Sequence, residues 1–438
     1  MNSQNQSKSK SLYQEALEVL PGGISRNTIY RQPHPDYAVR GEGCRVTDID
    51  GKTRIDFANN MASLMHGHAH PAIVSAVTEQ LQRGTAFTMA TEAELRFAQH
   101  ICSRNAGFDK IRFMNSGTEA VMAMIKAARA ITGRPKIAKS EGAYHGTYDY
   151  AEVSQKSKPE NWGSESSPAS VPVVQGTPQR ALDDVIVVPF NDVDRTIDLL
   201  NKHKDELACV LIDPLPHRVG LFPASDEYMK AIREWTADNG SLFCLDEVIT
   251  FRMGFGGAQD WYLDVQPDLT ALGKIIGGGF PVGGLAGKAD LMACLDPTRD
   301  TLPFPFSGTF SANPITMTAG RVAMELFDES AVTKVNALGD YARKEIASAI
   351  HSSGVEACVT GKGSMFRVHL KADPPIEYRS AWQDKEEVSK IAFLVNHLYD
   401  RGFMMINTCS VALSTVLAEA EVDQMVEALA EGLSKLKD

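Results

Sequence analysis

An α/β fold on a mostly parallel sheet is what this sequence predicts, from three observations. Short apolar runs recur from about residue 108: IRFM (111–114), IVVP (186–189), ACVLI (208–212), LFCL (242–245) and LTAL (269–272). Longer amphipathic segments such as Val121 to Ile131 and Tyr228 to Trp235 lie between them, the alternation expected of buried strands with helices on both faces. The runs end in Asn115-Ser116-Gly117-Thr118, Asp213-Pro214, Asp246-Glu247 and Lys274. Ligands in such sheets sit beyond the carboxyl ends of the strands, so the chemistry is expected at that edge.

Taken in order, the chain opens with a polar tail. S11-LYQEALEVL-20 then reads as a short helix, with Ser11 and Gln14 spaced as a capping box and Pro21-Gly22-Gly23 as its stop. Residues 151–185, rich in Ser, Pro and Gln, read as a long loop, mobile or acting as a lid. Past about residue 325 the alternation gives way to a helix from Ala331 to Ser353, strand-like VEACV and SMFRVHL, and a final helix from Glu419 to Leu436, read as a smaller domain. No internal repeat is visible.

Length and charge limit the function. With 438 residues and 43% hydrophobic content there is room for two or three domains and a large core. The 44 basic against 55 acidic side chains give −11, which disfavours nucleic acid and favours small-molecule partners. Seven dispersed cysteines without a C-x-x-C pair suggest neither a disulfide framework nor a zinc site, and a reducing compartment. The start, MNSQNQSKSKS, lacks the apolar core of a signal peptide, and no uncharged 18-residue apolar run follows. A cytoplasmic protein without a membrane partner is expected.

T270-ALGKIIGGGFPVGG-284 sets a single lysine, Lys274, at the end of an apolar run. An amine so placed tends to lose its proton, the state a nucleophile needs. It is not a P-loop, since Asp268 stands where the first glycine is required and Ile275 where Ser or Thr must follow the lysine. The glycines also lack G-x-G-x-x-G spacing and read as a tight turn. N115-SGTEA-120 follows a strand and opens a helix, so free backbone N–H groups, the helix dipole and two hydroxyls suit a phosphate. Asp246-Glu247 ends one strand and Lys274 another, 28 residues on (274 − 246). Pyridoxal phosphate needs this set together: an amine for the Schiff base, a carboxylate to keep the ring nitrogen protonated, and a phosphate cup. E141-GAYHG-146 adds an aromatic plane, Tyr144. In H66-GHAHP-71 the alternating His66, His68 and His70 share one face of a strand, but no carboxylate or cysteine partner is evident and no metal is expected. The apolar stripe of V121-MAMIKAARAI-131 reads as core.

In their order and spacing, N115-SGTEA-120, A143-YHG-146, L245-DEV-248, L272-GK-274 with its glycines and S307-GTF-310 resemble the class III aminotransferases of pyridoxal-phosphate fold type I, from about residue 20 to the C-terminus. The resemblance implies a large domain with a mostly parallel seven-stranded sheet and a smaller α+β domain built from both chain ends. Its divisions would be 1–65, an N-terminal segment serving the small domain and the substrate site, 66–325, the cofactor-binding domain, and 326–438, the C-terminal small domain. The cofactor would be pyridoxal 5'-phosphate, with pyridoxamine 5'-phosphate between half-reactions. By this resemblance Lys274 carries the Schiff base, Asp246 pairs with the pyridinium, Val248 and Tyr144 pack on opposite ring faces, and His145 joins the cofactor contacts. Ser116, Gly117 and Thr118 would hold the phosphate, and Thr309 would reach it from the second subunit of a homodimer.

P21-GGISR-26 resembles the segment that brings a carboxylate-binding arginine to the site in the glutamate-1-semialdehyde aminomutase and β-amino-acid transaminase branch. Arg26 is therefore the expected substrate contact, with Arg31 its rival, since a guanidinium fork suits a carboxylate. Three departures bear on the substrate. Asp213-Pro214 replaces the family's Glu-Pro and is followed by L215-PHRVG-220, where His217 or Arg218 would reshape the pocket. D246-EVITFR-252 is one residue shorter than the aminomutase version, and M404-MINTCSVALS-414 lacks the arginine that many of these transaminases use for 2-oxoglutarate. The expected activity is ping-pong transfer of an amino group from a carboxylate-bearing donor, with β-amino acids among the candidates, to an oxo acceptor. An aminomutase-type isomerase or a racemase using the same residues is the alternative.

Overall fold

Seven strands pair into one sheet: β1 (Lys110–Met114), β2 (Lys136–Ser140), β3 (Val185–Val188), β4 (Leu207–Ile212), β5 (Leu242–Asp246), β6 (Leu269–Gly273) and β7 (Gly283–Gly287). Their spatial order is β1-β7-β6-β5-β4-β2-β3. This is a computed structural model, and it describes residues 7–262 and 265–437. The first six residues of the polar tail lie outside the described residues. β3, β2, β4, β5 and β6 run parallel, while β7 is antiparallel to both β6 and β1, so β1 points the same way as β6.

β7 differs from the sequence reading. The turn after Lys274 ends by Val282, and Gly283-Gly284 opens a strand inside the sheet. The sequence GGLAG has low strand propensity, so local pattern could not announce it. Packing explains its composition: a Cβ at Gly283 would collide with the Ser116 carbonyl group. The glycine thus lets the loop after β1 lie directly on the strand leading away from Lys274.

Helices cover both faces. On one, Val121, Met124 and Ala128 of the helix Gly117–Thr132 bury with Met114, Leu285 and Ala271. On the other, Leu199, Leu200, Ile232 and Trp235, from Val193–Asn201 and Asp226–Asn239, bury with Val210 and Phe243. Each large aliphatic side chain so buried contributes about 1.5–3 kcal/mol, which holds the strand ends in place.

The chain ends meet elsewhere. Ala38–Glu42, Arg45–Asp48 and Thr53–Asp56 form a sheet that Phe403–Met404 completes, parallel to Thr53–Asp56. Cys358–Lys362, Met365–His369 and Ser410–Ala412 form another. Against these pack the helices Glu329–Ser353, Lys385–Asp400 and Glu419–Ser434.

The first helix runs Lys8–Val19, not from Ser11. Ser7 caps it and Asp50 accepts from the N–H groups of Lys8 and Ser9, so a side chain 41 residues away sets the start and the Ser11–Gln14 box does not form. Within 151–185 the loop carries a two-residue hairpin, Gly163–Ser164 with Ser167–Pro168, and a short helix, Gln179–Asp183. Arg379 donates to the carbonyls of Trp162, Gly163 and Ser164, tying that stretch down. No helix among the described residues is long and apolar enough to cross a membrane.

Candidate active site

The carboxyl ends of β1, β2, β4, β5 and β6 open into a cavity of about 380 Å³. Lys274 follows β6 directly and adopts φ +49°, a left-handed conformation unusual for a side-chain-bearing residue. It opens the turn Lys274–Gly277 and reaches the cavity wall. Burial lowers the pKa of its amine, while the charges of Asp246 and then Asp213 oppose the shift.

Asp246 ends β5 and is fixed on both oxygens. Oδ1 accepts from the Val248 N–H at 3.0 Å, and Oδ2 accepts from His145 Nδ1 at 2.7 Å. His145 is fully enclosed; burial lowers its pKa against the pull of Asp246, and its Nε2 has no partner among the described residues. Each Asp246 oxygen keeps a lone pair for a group in the cavity. Glu247, its neighbour in sequence, faces elsewhere: it accepts from the N–H groups of Ala258 and Gln259, and burial raises it to about 7. Only one carboxyl of the Asp246-Glu247 pair lines the cavity.

Asp213, noticed in the sequence only as a departure, lines the same cavity. Its Oδ1 accepts from the Leu215 N–H at 2.9 Å. Burial first and the Asp246 charge second push its pKa well above the ordinary value, against the pull of Lys274.

Ser116 caps the helix Gly117–Thr132, its hydroxyl accepting from the Glu119 N–H at 3.1 Å. Glu119 in turn accepts from the Asn115 N–H at 2.7 Å. The N–H groups of Gly117 and Thr118, in the first turn of this 16-residue helix, have no protein acceptor among the described residues and face the cavity these residues line. At Gly117 any Cβ would sit 2.6 Å from Val248, so glycine is what lets backbone and Val248 share this wall.

Tyr144 and Val248 line the cavity. Tyr144 stands edge-on to His217 at 5.9 Å, with the Arg218 guanidinium 5.4 Å from its ring centre. Arg26 is exposed and is not itself a wall, but its Nη1 donates to Asn60 Oδ1 at 2.7 Å, and Asn60 is one. Asn60 belongs to a left-handed turn, Asn59 to Ala62, with φ between +44° and +67° at four residues that are not glycine. Asn59 anchors it, its side-chain amide donating to the carbonyls of Asp56 and Ala412. Nothing in the sequence pattern announced this turn. Arg31 goes elsewhere, stacking on Tyr399 at 3.6 Å and donating to Asn396. Thr309 is exposed and apart from the cavity, although Gly308 lies beside the cavity residue Asn115. His66 binds the Ala323 carbonyl and Thr415, whereas His68 binds Asp56, so the alternating histidines serve separate partners.

These groups fit pyridoxal phosphate. Asp246, with open lone pairs, meets the need for a carboxylate at the ring nitrogen, and Lys274 supplies the amine. The free N–H pair of a helix N-terminus suits the phosphate, and Tyr144 with Val248 suits a planar ring. Fold and site together define a pyridoxal-phosphate enzyme of fold type I. The family model for aminotransferase class-III matches residues 29–433. Among relatives, the glutamate-1-semialdehyde 2,1-aminomutase of Methanothermobacter thermautotrophicus is 36% identical over 98% of this chain and 100% of its own. An omega-transaminase from Sphaerobacter thermophilus superposes with a TM-score of 0.96 at 44% identity, over 99% of both chains. A beta-phenylalanine aminotransferase from Variovorax paradoxus superposes at 0.86 with 30% identity, over 97% of this chain and 93% of the other. The chain belongs to the class III aminotransferase family, and its cofactor is pyridoxal phosphate.

Proposed function

We propose that the protein is an intermolecular aminotransferase that takes an amino group from a carboxylate-bearing donor, a β-amino acid among the candidates, and gives it to an oxo acceptor. The observation that carries the amine chemistry is Lys274, its amine's pKa lowered by burial, placed on one cavity with Asp246 and Asp213. The 44% identity to an omega-transaminase over 99% of both chains favours transfer between molecules. The aminomutase reading rests on relatives bearing that name at 36% identity.

Bound pyridoxal phosphate supplies an electrophilic carbonyl and a ring that takes up the electron pair left when the carbon bearing nitrogen loses its proton. Lys274 Nζ, its pKa lowered by burial, is the base that removes this proton and the acid that returns it. Asp246 keeps a proton at the ring nitrogen, and His145 Nδ1–H steadies the carboxylate for that task. The N–H groups of Gly117 and Thr118, with the hydroxyls of Ser116 and Thr118, hold the phosphate. Arg26, beside Asn60 at the rim, receives the donor's carboxylate. Thr309 completes the phosphate site of a second copy in a homodimer.

The test mixes the loaded enzyme with a 3-amino acid and no acceptor. One equivalent of oxo acid per site, with a matching loss of the visible cofactor absorbance, is expected, and the Lys274→Ala variant should give neither. Multiple turnovers to an isomer in the absence of acceptor would instead establish the isomerase.

A further inference from the structure

Lys139, in β2, is fully buried, and its Nζ donates to the Ala143 carbonyl at 3.0 Å and to the Val153 carbonyl at 2.7 Å. Burial, and then the Arg218 charge, lower its pKa to about 7. Glu141 opposes the shift but is itself held by Arg379 and Ser157. Taking an amine out of water is costly unless its donors are met. A neutral amine has two N–H groups, and the two carbonyl oxygens take both.

Those carbonyls bracket one loop. From Tyr144 to Thr147 it has no regular structure and no backbone-to-backbone hydrogen bond among the described residues. Yet consecutive residues of this loop meet different parts of the cofactor site. Tyr144 is a wall of the Lys274 cavity, and His145 holds Asp246 Oδ2. Gly146, with φ +92°, lies so near Thr118 that a Cβ there would stand 2.7 Å from its hydroxyl oxygen. A loop without ladder bonds keeps such positions when its ends are fixed from outside. The Gly142 N–H donates to the Ser154 carbonyl at its base, and Lys139 grips both arms from within.

We propose that Lys139 is a positioning residue for the cofactor: by tying the Ala143 and Val153 carbonyls together it sets the Tyr144 ring and the His145 imidazole in their places. This rests on Tyr144 and His145 serving pyridoxal phosphate. Lys139 is not itself a wall of the cavity.

The experiment compares the unaltered protein with Lys139→Met, which keeps the bulk and loses both donors, with Tyr144→Ala, and with the double variant. Lys136→Met, which loses an ion pair to Glu206 on the same strand, is the control. Lys139→Met should raise the dissociation constant of pyridoxal phosphate about tenfold, read by fluorescence titration. The visible circular dichroism of the bound cofactor, which reports how the ring is seated, should lose intensity. With 3-aminobutanoate, the saturating rate of the donor half-reaction should fall about tenfold, while the donor concentration giving half that rate changes less than about twofold. In the Tyr144→Ala background the same change should weaken cofactor binding less than about threefold, because the contact it serves is already gone. Lys136→Met should match the unaltered protein throughout. Should Lys139→Met fail to fold, Lys139→Gln, with a shorter side chain that keeps a donor, carries the same comparison.

Unchanged affinity and dichroism, or a loss as large in the Tyr144→Ala background, would overturn the assignment. Unchanged affinity in Tyr144→Ala alone would remove Tyr144 from the cofactor site and the proposal with it. Absence of a donor half-reaction in the unaltered enzyme would refute the aminotransferase reading instead, while affinity and dichroism still test Lys139.

Discussion

Single side chains at the site are defined by what each is denied. Asp213 is denied water and stands beside the Asp246 charge, which together raise its pKa; Lys274 is denied water too, and burial lowers the pKa of its amine. The same physics governs the folded state at His66, whose pKa burial lowers to about 4, against an ordinary 6.5. The unfolded chain binds a proton below pH 6.5 that the folded one refuses, so this stability is present above pH 6.5 and is lost as pH falls toward 4. For His66→Gln, which removes the titration, the loss of stability between pH 8 and pH 5 should shrink by about 2 kcal/mol, read from denaturant midpoints. An unchanged loss would mean that His66 titrates as a free histidine. Glu247, raised to about 7, opposes this slope, being favourable at low pH and lost as pH rises through 7. The lowering at Lys274 was legible from its place at the end of an apolar run, whereas the environments of Asp213, His66 and Glu247 were not, because each depends on what folds around the residue.

At the scale of elements, the helix Gly117–Thr132 joins two features at Ser116, a cap that stops its end from fraying and free N–H groups turned to the cavity, where the proposed reading seats the phosphate. Ser116→Ala should lower the stability of the cofactor-free protein by about 1 kcal/mol through the lost cap. It should also weaken cofactor binding roughly tenfold, measured by fluorescence titration. If affinity is unchanged, Ser116 is a cap alone. This helix was legible because a strand, a Ser-Gly-Thr and an apolar stripe stand in sequence, and so were Asp226–Asn239 and Glu329–Ser353 for their periodicity. Strand β7 was not, since its glycines answer to the Ser116 loop and not to strand propensity. The turn at Asn59–Ala62 was hidden for a like reason: its left-handed backbone is imposed by Asp56 and Ala412 from outside.

For the molecule as a whole, the motifs after β1, β2, β5 and β6 were readable together because one sheet edge gathers them, even though each alone is ambiguous. The proposed contact between copies comes only from the resemblance, and Thr309 is exposed on the single chain. A homodimer with Thr309 at the partner's phosphate predicts a dimer by light scattering, and Thr309→Ala should weaken cofactor binding about tenfold with the dimer intact. A monomer at assay concentration would remove Thr309 from the site. The rim residue Asn60 depends on Asn59, which rests on the Ala412 carbonyl, and Phe403–Met404 closes the sheet begun at Ala38. Synthesis from the ribosome therefore finishes the sheet edge bearing Lys274 well before it can finish the wall that faces it. A nascent chain halted short of residue 403 would hold its amine in a cleft whose Asn60 wall still lacks the strand and the carbonyl that brace it.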